Sequence, residues 1–391
     1  MHQNQEKKKT ICFILDWYPT EMNNGCVFAR HLIHAIADQG YPCVVIAPRA
    51  LHRKSFSKVN RVACKREDVT AKGNRIPVYM PFYLHMSSHR KTIRMSMNHH
   101  LKAVLKTIKK YDIQPDVLYG HFLYQCGLSA ARAGKRLGIP AYCACGENAL
   151  RLSKGSQPYD TGLHYASWRS IANHLSGIIC VSGSNRDLLL QNHFVRPGMR
   201  MDVFPNAVDA SLFHRMDRKE CRRKLGFPED AFIVAFTGAF SSNKGVDRLS
   251  TALKGCEDVY SVFMGRGAIE PDCENILFSG SVENKNVALY LNAADVFCLP
   301  TRGEGCCNAI VEALACGLPI ISSDLPFNDD LLTEKNAIRL DVEDVDAIRN
   351  AILLLKEDCA LRQSLAEGAL ETAKELEINR RAENIIKFME L

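Results

Sequence analysis

Residues 304–324 read EGCCNAIVEALACGLPIISSD, with two carboxylates, Glu304 and Glu312, eight positions apart. A carboxylate can accept hydrogen bonds from sugar hydroxyls, and it can stabilise positive charge developing at an anomeric carbon. Between the two lie Gly305, Cys306 and Cys307, small enough for a ligand to approach the backbone. Asn308 is placed to cap a helix over AIVEALA, and Gly317 and Pro319 to end it. The N–H groups of Gly305–Asn308, at the positive end of that helix, would form an anion site suited to a diphosphate. Glu312, one turn in on the face of Asn308, suits the two hydroxyls of a ribose better than a phosphate. Glu304, ahead of the helix, would face a sugar. The plainer alternative is that both glutamates are helix-start charges favoured by the dipole.

Other residues could join this site. Lys244, in FTGAFSSNKGVDRL, follows a strand pattern and could reach a diphosphate, or be a solvated loop lysine. Gly265 and Gly267 in FMGRGA and Gly25 in NNGC also follow strand patterns; each is a turn or a place where backbone meets phosphate. His121 ends one strand, and Cys145, Glu147 and Asn148 end or follow another in AYCACGEN; all four are candidate sugar or acceptor contacts, with structural roles as the alternative. No metal site is expected. The CxC pair Cys143 and Cys145 and the adjacent Cys306 and Cys307 lack partners at zinc-ligand spacing. Asp344 and Asp346 read as helix-start charges, and Asp329 and Asp330 have no third carboxylate nearby.

Parallel sheets must position these residues. TICFILDW, CVVIAP, DVLYGH, AYCAC and GIICVS are short apolar runs separated by helix patterns, and FIVAFTGAF, YSVFMGRG, NILFSG, VFCLPT and PIISSD repeat the scheme. The fold class is therefore α/β, with two Rossmann-like doubly wound domains joined near DVFPNAVDASLF, and ligands outside the carboxyl ends of the strands. The expected division is 1–203 and 204–377. At 391 residues the chain is long enough for two cores. Its 47% hydrophobic and 24% charged residues exclude disorder, and no apolar run reaches the ~18 residues that span a bilayer. The apolar stretch after MHQNQEKKK is too short for a signal peptide, and the 16 scattered cysteines read as reduced thiols; both point to a cytoplasmic protein. Formal net charge is +7. Much of the excess lies in HRKTIRMSMNHHLKAVLKTIKKY, where Ile93, Met97, Leu101, Val104, Leu105 and Ile108 recur at helical spacing opposite Arg and Lys. That face is either solvated or meets anionic lipid at the inner face of a membrane. Nucleic acid is not expected as a partner, because aromatics are not interleaved with the basic residues as a stacking platform requires.

Taken together these stretches resemble the retaining, nucleotide-sugar-dependent glycosyltransferases called group 1, which include many bacterial envelope mannosyl- and glucosyltransferases. The strongest part is LPTRGEGCCNAIVEALACGLPIISSD, similar to the family's E-x7-E region. NNGCVFARHLIHAIADQGYPCVVIAP, PDVLYGHF, IICVSGSNRDLL, VFPNAVDASLF, GAFSSNKGVDRL and NAADVFCLP extend the likeness over nearly the whole chain. The resemblance implies the GT-B fold, two Rossmann-like domains facing across a cleft, with the donor held by the second and the acceptor by the first. A last helix within 378–391 would cross back to the first domain. It implies transfer of a sugar from a UDP- or GDP-linked donor to a hydroxyl of a glycan or lipid-linked acceptor, with retention and without metal or cofactor, in envelope polysaccharide or glycolipid synthesis. Glu312 would bind the ribose, Lys244 the diphosphate, Gly305, Cys306, Cys307 and Asn308 the phosphate or sugar, and Glu304 the transferred sugar. The chain departs from the pattern twice: Ala239 stands where many members have a basic residue, and Cys145 where many have histidine. These losses keep open a nucleotide-sugar epimerase, a phosphorylase or a non-catalytic nucleotide-sugar binder on the same architecture. A dehydrogenase lacks its strand–GxGxxG–helix unit.

Overall fold

The computed structural model describes residues 8–19, 26–52, 65–85, 93–147 and 165–391. The chain forms two compact units, Met1–Phe204 with Asn379–Leu391, and Pro205–Ile378.

The first unit runs β1 (Ile11–Ile14), α1 (Val27–Asp38), β2 (Cys43–Ile46), β3 (Arg49–His52), β4 (Lys65–Val69), β5 (Arg75–Tyr79), β6 (Phe82–His85), α2 (Ile93–Lys110), β7 (Val117–His121), α3 (Leu128–Leu137), β8 (Ala141–Cys145), α4 (Tyr165–Ala172), β9 (Gly177–Cys180), α5 (Gly183–Gln191) and β10 (Met201–Val203). Its eight-stranded sheet has the order β10-β9-β8-β7-β1-β2-β5-β4. Pairing is parallel except between β4 and β5, and β3 and β6 form a separate parallel pair. β1, β2, β7, β8 and β9 are buried at every position, as strands covered on both faces must be. Strand order reverses between β1 and β7, so the crevice at their carboxyl ends is this unit's natural ligand position. On α2, Met97, Leu101, Val104 and Ile108 are buried, while Lys102, Lys106, Lys109 and Lys110 are exposed.

The second unit runs α6 (Arg218–Leu225), β11 (Phe232–Thr237), α7 (Val246–Leu253), β12 (Val259–Met264), β13 (Ile276–Gly280), α8 (Asn284–Ala293), β14 (Val296–Leu299), α9 (Asn308–Ala315), β15 (Ile320–Ser323), β16 (Ala337–Leu340), α10 (Val345–Glu357) and α11 (Cys359–Glu375). The order β13-β12-β11-β14-β15-β16 is wholly parallel and is the doubly wound 3-2-1-4-5-6 arrangement. Its switch point lies between β11 and β14, whose exit loops carry Lys244 and Glu304. Gly317, at φ 74°, closes α9. Its N–H bonds to Leu314 O and that of Leu318 to Ala313 O, at 2.9 and 3.0 Å, a Schellman ending. The last helix, α12 (Ile378–Phe388), packs in the first unit. There the Phe388 ring lies 5.9 Å from that of Tyr142 and 6.1 Å from that of Phe204. A side chain at Gly177 would meet Phe388 at 2.8 Å.

Candidate active site

Two loops of the second unit are latched together. After β11, residues 238–245 turn back over the carboxyl end of the sheet. Gly245 makes the turn possible: its φ is +80°, and a Cβ there would lie 2.3 Å from Pro300 O. The same contact brings this loop against the exit of β14. Arg302 N donates to Asn243 O at 2.9 Å, and Thr301 Oγ1 lies 3.2 Å from both Asn243 O and Glu304 Oε1. Buried Arg248 donates to Ser242 O at 2.9 Å and Pro300 O at 2.6 Å. Exposed Arg302 donates to Ser242 Oγ at 2.8 Å and holds Glu343 through two bonds. On the other flank, Gly265 and Gly267 lie against residues 238–240, where a Cβ would meet Gly238 O at 1.9 Å and Phe240 O at 2.1 Å. The GxG thus has a packing reason of its own.

The latch sets Lys244 directly on Glu304: Nζ and Oε1 form an ion pair, with side-chain exposures of 23% and 13%. Burial pulls the Lys244 ammonium down, but neighbouring Cys307 and Glu304 outweigh it and the net direction is up. The Cys307 thiol is itself pushed up to about 12, mainly by burial, so near neutrality the charge that holds Lys244 protonated is that of Glu304. Sequence reading gave the two residues to different parts of a ligand; the structure brings them onto each other.

Helix α9 starts beside this pair. Cys307 is its N-cap, one position earlier than the cap expected from the sequence, and Asn308 is its first helical residue. A cysteine in extended conformation is a poor cap, and no side chain caps this helix. By contrast, Asp344 caps α10 by accepting from Ala347 N, the role its sequence position indicated. Cys306 is buried and anchors the loop: its Sγ accepts from Asn206 N at 3.2 Å and its carbonyl from Asn206 Nδ2 at 3.0 Å. Gly305 is also buried. Glu312 is half-buried one turn into the helix, and burial raises its carboxyl to about 8. Among the described residues no group donates to that carboxylate, so in the free chain it is largely protonated at neutral pH. A dipole-favoured helix-start glutamate would show the opposite shift.

In the first unit the carboxyl ends of β7 and β8 hold buried polar groups. His121 is buried among the rings of Phe28, Phe122 and Tyr119, at 5.2, 4.8 and 6.3 Å. Burial lowers it to about 3, with the Arg381 charge adding to this, and its Nδ1 is buried without a partner. Glu147 accepts from Tyr124 N at 3.0 Å through Oε1, while Oε2 is buried without a partner. Burial raises its pKa, against the lowering effect of those bonds. Asn185 Nδ2 holds the Glu147 carbonyl at 2.7 Å. Cys145 is fully buried, so its side chain offers no surface to a ligand. Gly25 and Asn148 lie outside the described residues. Sequence reading missed Arg248, Arg302 and Asn206. Arg248 carried one usable signal, its position one helical turn after Lys244.

Residues 217–372 match the family Glycosyl transferases group 1, and residues 27–212 match Glycosyltransferase Family 4. The chain is 27% identical over 374 residues to TuaC of Bacillus subtilis (strain 168), named as a glycosyltransferase of teichuronic acid biosynthesis, with 93% of each chain covered. It is 27% identical over 204 residues to an Escherichia coli UDP-Gal:alpha-D-GlcNAc-diphosphoundecaprenol alpha-1,3-galactosyltransferase, covering 47% of this chain and 52% of that one. Among solved structures it resembles sucrose-phosphate synthase from Thermosynechococcus elongatus, with a TM-score of 0.76, 16% identity and coverage of 97% and 98%. It also resembles Anabaena HepE in complex with UDP, with a TM-score of 0.72, 16% identity and coverage of 97% and 99%. Its fold is GT-B, built from two Rossmann-like units, and it carries a segment similar to the group 1 glycosyltransferases after one similar to Glycosyltransferase Family 4.

Proposed function

We propose that this chain transfers a sugar from a nucleotide diphosphate-sugar to a hydroxyl of a glycan or lipid-linked acceptor, with retention of anomeric configuration. The observation that carries the reading is the Lys244–Glu304 pair, latched at a switch point beside an uncapped helix start, with unpartnered Glu312 one turn away. Lys244 and the N–H groups of Gly305, Cys306, Cys307 and Asn308 would neutralise the diphosphate, and Glu312 would take the ribose diol. The bond from the anomeric carbon to the diphosphate breaks with its electron pair going to the diphosphate oxygen. The acceptor oxygen bonds to that carbon on the same face, and its proton passes to the leaving phosphate. Glu304 stabilises the cationic sugar between the two events. The half-satisfied Glu147 and His121 are the first unit's candidates for sugar or acceptor contact.

This assignment makes the nucleotide sugar a substrate, with no resident cofactor, and the reaction metal-independent. A lipid-linked or envelope glycan acceptor is in keeping with the names of the B. subtilis and E. coli relatives, and a uridine donor with the HepE complexes. Among the described residues no helix is long and apolar enough to cross a membrane, so contact with lipid would be peripheral, at the cytoplasmic face, through the lysines of α2. The test is transfer from UDP- and GDP-sugars to lipid-linked acceptors in chelator, with the product anomer read by NMR. A product of retained configuration is expected. Epimerised donor without acceptor, an inverted product, or a requirement for Mg²⁺ or Mn²⁺ would contradict the reading.

A further inference from the structure

The carboxyl ends of β1 and β7 bring together three residues far apart in sequence. Asp16 follows β1, Cys126 lies in the turn Leu123–Gly127 after β7, and His100 sits on α2. One ligating atom from each, carboxylate oxygen, thiol sulfur and ring nitrogen, lies within 4.8 Å of the others. Cys126 Sγ donates to Asp16 Oδ1 at 3.0 Å.

His100 supplies an independent sign that something is held here. It is fully buried, and its Nδ1 pairs with Ser129 Oγ at 2.8 Å, while its Nε2 is buried with no partner. With Nδ1–H donating to Ser129, Nε2 carries a bare lone pair, which is costly to bury unless it has a ligand. A histidine whose far nitrogen is tied to a fixed acceptor is also how metal-ligating imidazoles are oriented. The Tyr83 ring stands edge-on to His100 at 5.0 Å and fixes its plane. The turn carrying Cys126 is itself constrained: Phe122 and Gln125 have φ of +69° and +58°. The Gln125 amide is bound to Tyr83 OH through both its oxygen and its nitrogen, at 3.2 and 3.0 Å.

We propose that Asp16, His100 and Cys126 bind one divalent ion of the zinc class, with Ser129 as the positioning residue for His100. An S/N/O set of three protein ligands suits Zn²⁺ and leaves a fourth position for an oxygen ligand. Exposed Asp16 gives the ion access from solvent. Loading replaces the Cys126–Asp16 hydrogen bond: the thiol proton leaves to solvent and sulfur, nitrogen and oxygen each donate a pair to the ion. The ion pins the strained turn between the two strands and takes no part in neutralising a diphosphate, so the inference stands apart from the proposed transfer.

The test is titration of metal-stripped, reduced full-length protein with Co²⁺, read by absorption. The expected result is a thiolate-to-cobalt charge-transfer band that saturates at one equivalent and is displaced by Zn²⁺. Cys126→Ser should abolish the band, Asp16→Asn should weaken binding at least tenfold, and Ser129→Ala should weaken it less. Cys359→Ser, at an exposed cysteine, should leave it unchanged. Should Cys126→Ser fail to fold, Asp16→Asn carries the same test from the solvent side. Absence of the band in the wild type, or Co²⁺ affinity in Asp16→Asn equal to that of the wild type, would overturn the proposal.

Discussion

At the scale of single residues, Glu312 and Lys244 make separable predictions. Burial holds the Glu312 carboxyl near 8, whereas a ribose diol favours the carboxylate, so donor binding should release a proton. Affinity for an intact nucleotide diphosphate-sugar should therefore rise as pH goes from 6 to 8, by up to tenfold per unit. It should be flat in Glu312→Gln. A pH-independent wild-type affinity in calorimetry would show that the ribose does not meet this carboxylate. At saturating pH, Glu312→Ala should lose about 1.5–3 kcal/mol of donor binding. The same shift has a sign for stability. The folded-state pKa is raised, so the native chain binds more protons than the unfolded one and loses stability as pH rises from about 4.5 to about 8. Glu312→Gln should raise Tm at pH 8 and leave it nearly unchanged at pH 4. Lys244→Ala should lower kcat more than it raises KM, because leaving-group charge grows in the transition state. Unchanged turnover would mean that another cation serves the diphosphate.

At the scale of elements, the site depends on the latch between the loops after β11 and β14. Gly245→Ala combines a positive φ with a contact to Pro300 O, and overpacking of this kind costs about 1–3 kcal/mol. Denaturant unfolding should show that loss together with weaker donor binding. A variant as stable as wild type and equal in affinity would mean the two loops move independently. Much of this level was legible in the chain. The buried strands read as unbroken apolar runs, α2 showed its ridge through Met97, Leu101, Val104 and Ile108, and Gly317 marked the end of α9. Asn308 was read as the cap because its type is favoured there, but the chain gives that position to Cys307. What sequence could not convey were contacts between residues distant in the chain: the Lys244–Glu304 pair, the Arg248 bridge, the Asn206 tie to Cys306 and the Asp16–His100–Cys126 cluster. Local spacing does not reveal that cluster because it draws one residue from each of three segments.

At the scale of the whole molecule, the chain is a two-unit GT-B glycosyltransferase with a formal charge of +7. In the first unit α2 packs against α3, and both carry exposed basic residues, Lys102, Lys106, Lys109 and Lys110 on the one and Lys135 and Arg136 on the other. Within α3 the Arg132 guanidinium is lowered by burial and by neighbouring Arg136. Sedimentation with vesicles should show binding to anionic but not zwitterionic lipid, weakening with salt, and loss of it in Lys102→Glu/Lys106→Glu. Equal partition to both lipids, or none, would contradict a membrane-facing role. On the proposed function, the second unit holds a nucleotide diphosphate-sugar through Glu312 and the start of α9. The most direct test of this is a thermal-shift panel of UDP- and GDP-sugars against wild type and Glu312→Ala, since a ligand bound only by the folded state raises Tm. At least one such donor should stabilise the wild type at pH 8, and the shift should largely disappear in Glu312→Ala. No stabilisation by any of them, or equal stabilisation of the two proteins, would contradict the proposed function.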